Sequence, residues 1–553
     1  MDPHMSHLDA TIPRGELRPL GVWSPNQIAP TFGGPPLVEY LRRTRETIHV
    51  VADPRTGHLG LASGGYLTPG NFDTTESDCL WMATLPPLYP EWLGDRSFCE
   101  AHGVRFPYVA GAMARGIASA EMVISMARSQ MLAFLGCAGL SPARVERDLN
   151  IIDGAIGNTD LPWGANLIHS PNEPYIEQQV VELFLARGVS TVSASAFMKL
   201  TPPLVQYAAT GLTADAQGRV IRRNHVVAKV SRAEVARRFL EPAPKRMLDE
   251  LVRQGKLTEA EAQIASRIPV AEDITAEADS GGHTDGRPLT ALLPAINDLA
   301  TKIAEERGYE RPIRVGAAGG IGTPTAAAAA FALGAAYVLT GSINQCSVEA
   351  DVADDAKKML AGASRTDVAR CPSADMFEIG AQVQVLSRGT MFAARANLLG
   401  DLYRRHDGLH DIPDDKRAQL EKQLFRAPLD EIWRQTRDFW QSEDPEQVEK
   451  AQKNPRHKMA LVFRWYLGKS SRWPIDGDSD RRLDYQLWCG PAQGAFNEWV
   501  QDTFLEDPTH RGVVQIALNI LEGAAQITRA QQARSYGVHL PAAAFTYEPT
   551  PLA

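Results

Sequence analysis

Between residues 106 and 340 short apolar runs alternate with longer stretches of helical period, the pattern of strand–helix units in a parallel sheet. Eight runs predict strands: Phe106–Ala112, Met131–Leu135, Gly164–Ile168, Ser190–Ser195, Val226–Val230, Ile274–Ala278, Ile313–Ala318 and Ala336–Thr340. The stretches between them open with helix-start chemistry. Ser141-Pro142, Ser170-Pro171, Thr201-Pro202 and Thr323-Pro324 each set a capping hydroxyl before a proline at the first helical position. Ser231 and Glu234 have capping-box spacing ahead of a helix over Arg232–Phe239. Gly188, Gly211, Gly308 and Gly334 stand where helices should stop. Eight such units over about 250 residues predict an α/β fold, a (β/α)8 TIM barrel. A doubly wound open sheet is the competing arrangement.

The barrel has flanks. Extra helical material over Pro244–Arg253 and Thr258–Ser266 predicts a helical insertion in the fifth unit, about residues 243–270. Upstream, Ile48–Ala52 and Leu59–Ala62 predict two strands joined by the turn Asp53-Pro54-Arg55-Thr56-Gly57. Downstream the pattern turns mainly helical, with segments at Asp414–Phe425, Leu429–Phe439, Pro445–Lys453, His457–Leu467 and Val513–Arg534. The expected division is a short N-terminal region with a small β element (1–98), a barrel (99–354) and a mainly helical C-terminal domain (355–553). The run Ala326–Ala330 reads as a close-packing helix face.

Composition narrows the classes. The chain has 553 residues and a formal net charge of -9, which offers no global footprint for nucleic acid or an anionic membrane. No run of about 18 apolar residues is present, and the N-terminus lacks the pattern of a signal peptide. The six cysteines show neither CxxC nor zinc-ligand spacing, so no metal site is expected. The expectation is a cytoplasmic globular protein.

Chemistry enters at the glycine turns. In Arg311–Gln345 one predicted strand ends in Ala318-Gly319-Gly320 before a helix, and the next ends in Thr340-Gly341-Ser342. Backbone N–H groups in such turns bind anions, and barrels often build a phosphate site after strands seven and eight. One glycine turn alone is ordinary loop geometry; two at adjacent strand ends point to phosphate. A Rossmann fingerprint fits worse, since Thr325 stands where the third glycine belongs and no acidic residue follows before Glu349.

A second stretch, Glu277–Arg287, ends a strand in Ser280-Gly281-Gly282-His283. It sets a histidine suited to proton transfer at the mouth where barrel chemistry is done. Gly111-Ala112-Met113 closes strand one with small residues that let a flat ring lie on the backbone. Asn166 in strand three offers an amide, and Lys229 near the end of strand five offers a cation. Asn166 also reads as a turn former, and Lys229 as a surface lysine. Together these residues describe a phosphate at one side of the mouth and a planar ring at its centre, as flavin mononucleotide (FMN) requires; other phosphorylated ligands stay open. Neither G-x-S-x-G nor H-E-x-x-H occurs.

These motifs carry a resemblance. Cys99–Ala350 resembles the flavin barrel family of nitronate monooxygenases and bacterial flavin enoyl-acyl-carrier-protein reductases, through Gly111-Ala112-Met113, Pro162–Leu167, Gly281-Gly282-His283, Ala318-Gly319-Gly320 and Gly341-Ser342. Nearly the whole chain is similar to one branch, the trans-acting enoyl reductases of trans-acyltransferase polyketide synthases and polyunsaturated fatty acid synthases. The segments particular to that branch are Leu20–Gly34, Asn166–Pro174, Val192–Met198, Glu277–Asp285, Arg388–Phe392 and Met459–Gly468.

The resemblance implies FMN- and NAD(P)H-dependent reduction (NADPH or NADH) of the α,β-double bond of an enoyl thioester. Gly111, Ala112, Met113, Asn166 and Lys229 would surround the flavin ring, with Ser280, Gly281 and Gly282 lining it. Ala318, Gly319, Gly320, Gly341 and Ser342 would hold its phosphate. His283 would be the catalytic proton donor, and Lys229 would steady negative charge. The implied partner is an acyl carrier protein, usually acidic. Ala451–Ile475 carries six Lys/Arg and no Asp or Glu, which makes Lys453, Arg456, Lys458 and Arg464 a candidate docking face. A homodimer is among the expectations for assembly. The alternative reading on the same barrel is a nitronate monooxygenase-type flavin oxidase.

Overall fold

A computed structural model describes residues 18–169 and 174–552. The eight expected strands are present as one closed parallel barrel: Tyr108–Ala110, Leu132–Leu135, Gly164–Ile168, Thr191–Ser195, His225–Val230, Asp273–Glu277, Arg314–Ala318 and Val338–Thr340. The competing open sheet is thereby excluded. The ring closes where strand eight pairs with strand one, Val338 opposite Tyr108 and Thr340 opposite Ala110. A 2.6 Å hydrogen bond between the Tyr108 and Thr340 hydroxyls seals the seam. Strands one, two, four, seven and eight are buried at every residue; strands one and two accordingly read as apolar runs, whereas strand four, Thr191–Ser195, buries alternating hydroxyls.

The helix-start chemistry mostly works as read. Ser141, Thr201 and Thr323 accept the N–H groups of Arg144, Leu204 and Ala326. Ser170-Pro171 lies outside the described residues. The expected capping box at Ser231 does not form. The helix there is Ala233–Leu240, and the Ser231 hydroxyl donates instead to Asp285 Oδ2 at 2.5 Å, a carboxylate also held by Arg232. A capping box does form at Thr258 and Glu261, opening the second helix of the fifth-unit insertion, which comprises Lys245–Arg253 and Glu259–Ala265.

The barrel floor, at the N-terminal strand ends, is closed by the helix Arg96–His102. His102 Nε2 lies 3.0 Å from Asp273 Oδ2, and Arg314 grips the same carboxylate at 2.6 and 2.8 Å. The Phe98 ring stacks on Tyr337 at 4.2 Å within a cluster that includes Val109, Phe134 and Val227.

The chain divides into two compact units. The larger comprises Asp95–Gly322 and Leu333–Ile516; the other comprises the chain up to Gly94, Thr323–Ala332 and the chain from Ala517 onward. These boundaries cut across the three segments expected from sequence, because Ala530, Ala533 and Val538 join Leu37, Ile48, Val50 and Leu61 in one apolar core. In that smaller unit the expected strands Ile48–Ala52 and Leu59–Ser63 belong to a five-stranded antiparallel sheet with Cys79–Leu85, Gly21–Ser24 and Tyr66–Pro69. Arg529, fully buried, donates to the carbonyls of Arg43, Glu46 and Pro86 and so ties helix to loop.

After the barrel the larger unit continues in helices, including Phe392–Arg405, Leu429–Glu443, Pro445–Lys453 and Pro455–Ser470. An antiparallel hairpin, Val368–Pro372 with Gln382–Leu386, precedes them and pairs with the two-residue strand Gly282–His283. Neither the hairpin nor that pairing was expected. Among the described residues no helix is long and apolar enough to cross a membrane.

Candidate active site

The expected site residues meet at the C-terminal end of the barrel strands, the end where barrel enzymes do chemistry. Gly111 follows strand one, Asn166 lies in strand three, Lys229 in strand five, Ser280–His283 after strand six, Gly319–Gly320 after strand seven and Gly341–Ser342 after strand eight.

Their immediate partners refine what each can do. The Asn166 amide nitrogen donates to Ser193 O at 2.9 Å and Ser195 Oγ at 3.0 Å, which commits its nitrogen within the barrel. Lys229 is not a lone cation: Nζ sits 2.8 Å from Glu277 Oε1, and Ser280 Oγ reaches the same oxygen at 3.3 Å. Gly111 donates its N–H to Thr340 O at 2.8 Å, and an added Cβ would stand 2.5 Å from Leu339 Cδ2. A side chain there would have to displace the tip of Leu339. Ala112 packs partly buried against the barrel core, and Met113 is buried. Gly136, after strand two, shows the same signal and was overlooked; a Cβ there would collide with the Met113 carbonyl oxygen.

The glycine turns separate into two kinds. Gly319 (φ +86°) presses on the backbone of Ala278, whose carbonyl carbon would lie 2.7 Å from an added Cβ, and Ala318 O accepts the Ala278 N–H at 2.8 Å. Gly281 lies against Cys489 and the Ser342 hydroxyl, and Gly490 against Gly281 and Ser280, each too close for a side chain. Gly490 also donates its N–H to Ser342 Oγ at 3.2 Å. By contrast, added Cβ atoms at Gly320 (φ +73°) and Gly341 would meet nothing within 4 Å. At these two turns the backbone borders open space, the condition for close approach of an anion.

His283 is held by residues that the sequence did not single out. Its Nε2 lies 2.9 Å from Ser373 Oγ and 3.1 Å from Asp375 Oδ1, and the Ser373 hydroxyl also bonds Asp375. Both partners sit in the loop of the hairpin, whose strand sets Val383 opposite His283 and Gln384 opposite Gly282. Gln384 further donates to Ser280 O at 3.0 Å. Burial by itself would lower the His283 pKa, but the hydrogen bond and charge of Asp375 overcome it and raise the imidazole above its usual value. Burial likewise works against the Asp375 charge, and the His283 partner outweighs it, holding the carboxyl down at about 2.

The cysteines offer no nucleophile. All six are free, and burial pushes the thiols of Cys79, Cys99 and Cys346 up to about 11. The basic stretch is partly engaged by contacts within the protein. Arg464 pairs with Glu378 at 3.3 Å, the Arg456 guanidinium lies 4.8 Å from the Tyr403 ring centre, and Lys458 Nζ lies 4.9 Å from that of Trp433. Lys453, Arg456, Lys469 and Arg472 are exposed, Arg472 pairing with Asp476 at 3.2 Å.

Comparison with known proteins places this geometry. Residues 406–485 match the family described as the inserted helical domain of [acyl-carrier-protein] S-malonyltransferase. The chain is 45% identical over 91% of its length to a polyunsaturated fatty acid synthase subunit of Thraustochytrium sp., of which it covers 33%. It is 43% identical over 81% of its length to the polyketide biosynthesis protein PksE of Bacillus subtilis, of which it covers 58%. The chain thus spans from about a third to somewhat over half of these curated relatives. Among solved structures, the enoyl reductase domain of MlnA, from the macrolactin biosynthesis cluster of Bacillus amyloliquefaciens, is 40% identical with a TM-score of 0.76. That match covers 80% of this chain and 98% of the domain. The resemblance read from the sequence is borne out: this chain belongs to the enoyl reductase family of polyketide and polyunsaturated fatty acid synthase systems.

Proposed function

We propose that the chain is an FMN-dependent enoyl reductase that uses NAD(P)H to reduce the α,β-double bond of an enoyl thioester carried on an acyl carrier protein during polyketide or polyunsaturated fatty acid synthesis. The observation that carries this reading is the pair Gly320 and Gly341, whose added Cβ atoms would stand in open space at the ends of two adjacent, paired strands. Turns built this way suit the phosphate of a flavin mononucleotide. Gly319, Gly320, Gly341 and Ser342 would hold that phosphate, with Ala318 shaping the turn. Gly111, Ala112, Met113, Asn166, Lys229, Ser280, Gly281 and Gly282 would border the ring. When bound, the flavin supplies hydride transfer from NAD(P)H to the β-carbon of the enoyl group.

The protein's own residues then have four tasks. The glycine turns bind the phosphate through backbone N–H groups. Asn166, its nitrogen already committed, accepts a hydrogen bond from the ring edge. Lys229, held in place by Glu277, stabilises negative charge at the mouth. His283 supplies the proton that the α-carbon needs, or donates to the thioester carbonyl while enolate charge develops there. The exposed Lys453, Arg456, Lys469 and Arg472 are the part of the basic stretch that would meet an acidic carrier protein.

The test is the visible spectrum of the purified full chain, followed by NADPH with and without a crotonyl thioester. A yellow protein, bleached by NADPH and recoloured on adding the thioester without oxygen, is the expected result. Oxygen consumption with a nitronate and no NADPH would instead establish the oxidase reading, and a chain that cannot be loaded with flavin would sink both.

A further inference from the structure

The hairpin beyond the barrel has no task in the reaction as drawn so far, yet its loop makes the hydrogen bonds to the His283 ring. We propose that Asp375, together with Ser373, is the positioning residue for His283, holding the imidazole by Nε2 and leaving Nδ1 as the atom that meets the substrate. The inference rests on the assignment of His283 as proton donor.

The hydrogen-bond chemistry fixes the tautomer. Asp375 accepts the Ser373 hydroxyl, so the Ser373 oxygen offers lone pairs to its other neighbour. Nε2 therefore faces two acceptors, Ser373 Oγ at 2.9 Å and Asp375 Oδ1 at 3.1 Å, and must carry a proton. No hydrogen bond to Nδ1 occurs among the described residues. When the ring is charged, Nδ1 also carries a proton, and that is the one free to leave. Ser373 is itself fixed, being almost fully buried with its N–H on Ala381 O at 2.9 Å. The strand pairing at Val383 anchors the other side of the same loop.

Groups on three elements face the imidazole. Asp375 on the hairpin loop and Glu277 on strand six favour the charged ring; Lys229 on strand five, and burial, disfavour it. Asp375 is the one in direct hydrogen bond. Its loss therefore leaves the opposing effects of burial and Lys229 in command. Because the folded imidazole is raised, the charged donor is present at low pH and is lost as pH rises through that value. Removing Asp375 moves that loss to lower pH.

The experiment uses the flavin-loaded full chain and the variants Asp375→Asn, Asp375→Glu and Ser373→Ala, with ring titration by NMR of 13C-labelled histidine, assigned by His283→Gln. In Asp375→Asn the His283 titration and the alkaline limb of kcat should both move to lower pH. At pH 8 turnover should fall about ten-fold, part of the range that a positioned proton donor contributes. Asp375→Glu should restore the wild-type direction, and Ser373→Ala should give a smaller shift than Asp375→Asn. An unmoved titration in Asp375→Asn, with a folded protein, overturns the proposal. If His283→Gln keeps full turnover, the donor assignment fails instead, while the NMR titration still reports whether Asp375 governs the ring.

Discussion

The barrel carries a histidine–aspartate pair at each end, with nearly the same geometry and opposite surroundings. At the floor His102 and Asp273 are 3.0 Å apart, and each side chain is 1% exposed. At the mouth His283 and Asp375 are 3.1 Å apart, with 39% and 52% of their side chains exposed. The floor pair lies in a closed set of charges. Burial would raise the Asp273 carboxyl, but the His102 charge and the Arg314 hydrogen bonds hold it well below the usual carboxylate range. The neighbouring His225, 5.3 Å from His102 ring to ring, is pushed down to about 3 by burial. The floor pair thus ties the barrel strands to the closing helix and is sealed from any ligand. The mouth pair keeps one ring nitrogen unbonded among the described residues. Distance alone does not tell the two pairs apart; what distinguishes them is that one is closed off and the other keeps an unbonded ring nitrogen among the described residues.

The comparison can be broken at several points. The largest effect is expected from His283→Ala, which should lower enoyl reduction by about 10²- to 10⁴-fold while leaving the melting curve and flavin content unchanged. Next comes Arg314→Leu at the floor. It leaves Asp273 buried with His102 as its remaining partner, takes one of three arginines from Glu272, and should cost about 3–5 kcal/mol of stability, read from the denaturation midpoint. Turnover of the protein that remains folded should be normal; a stable Arg314→Leu protein would refute the structural reading of the floor.

A third test addresses the open turns. Gly341 has φ −130°, outside the left-handed region, and an added Cβ would touch nothing. Gly341→Val should therefore leave the fold intact and weaken flavin affinity about ten-fold, measured by fluorescence titration of the stripped protein; unchanged affinity would mean that the turn is loop geometry only. The smallest effect is expected at Lys453→Glu, about two- to five-fold on KM for a carrier-bound enoyl substrate and none for the free thioester. Equal change with both substrates would remove Lys453 from carrier docking.

The barrel was legible because a parallel strand buried on both faces leaves a run of apolar residues, as in Leu132–Leu135. The hairpin was not. Its first strand, Val368–Pro372, is half exposed and ends in proline, and its second reads QVQVL after a loop of mixed apolar and polar residues. Nothing in Ser373-Ala374-Asp375 marks it as a partner of a residue ninety positions earlier. Ser231 failed as a cap for a related reason: a distant carboxylate, Asp285, outcompeted the local backbone. Gly136 carried the same legible signal as Gly111, a small residue at a strand end, and was overlooked. The sequence leaves Lys229 open between a site cation and a surface lysine, because its partner Glu277 lies on the next strand of the barrel.

Gly281 and Gly490 approach so closely that neither tolerates a Cβ, although the barrel is already complete by residue 340. The enzyme cannot be trimmed to its barrel. Cutting after strand eight would remove the wall behind the Ser280–His283 turn as well as the loop that grips His283. A transplant of the candidate site would need the barrel and the Gly490 turn taken together, with both sides of each close contact from the same parent.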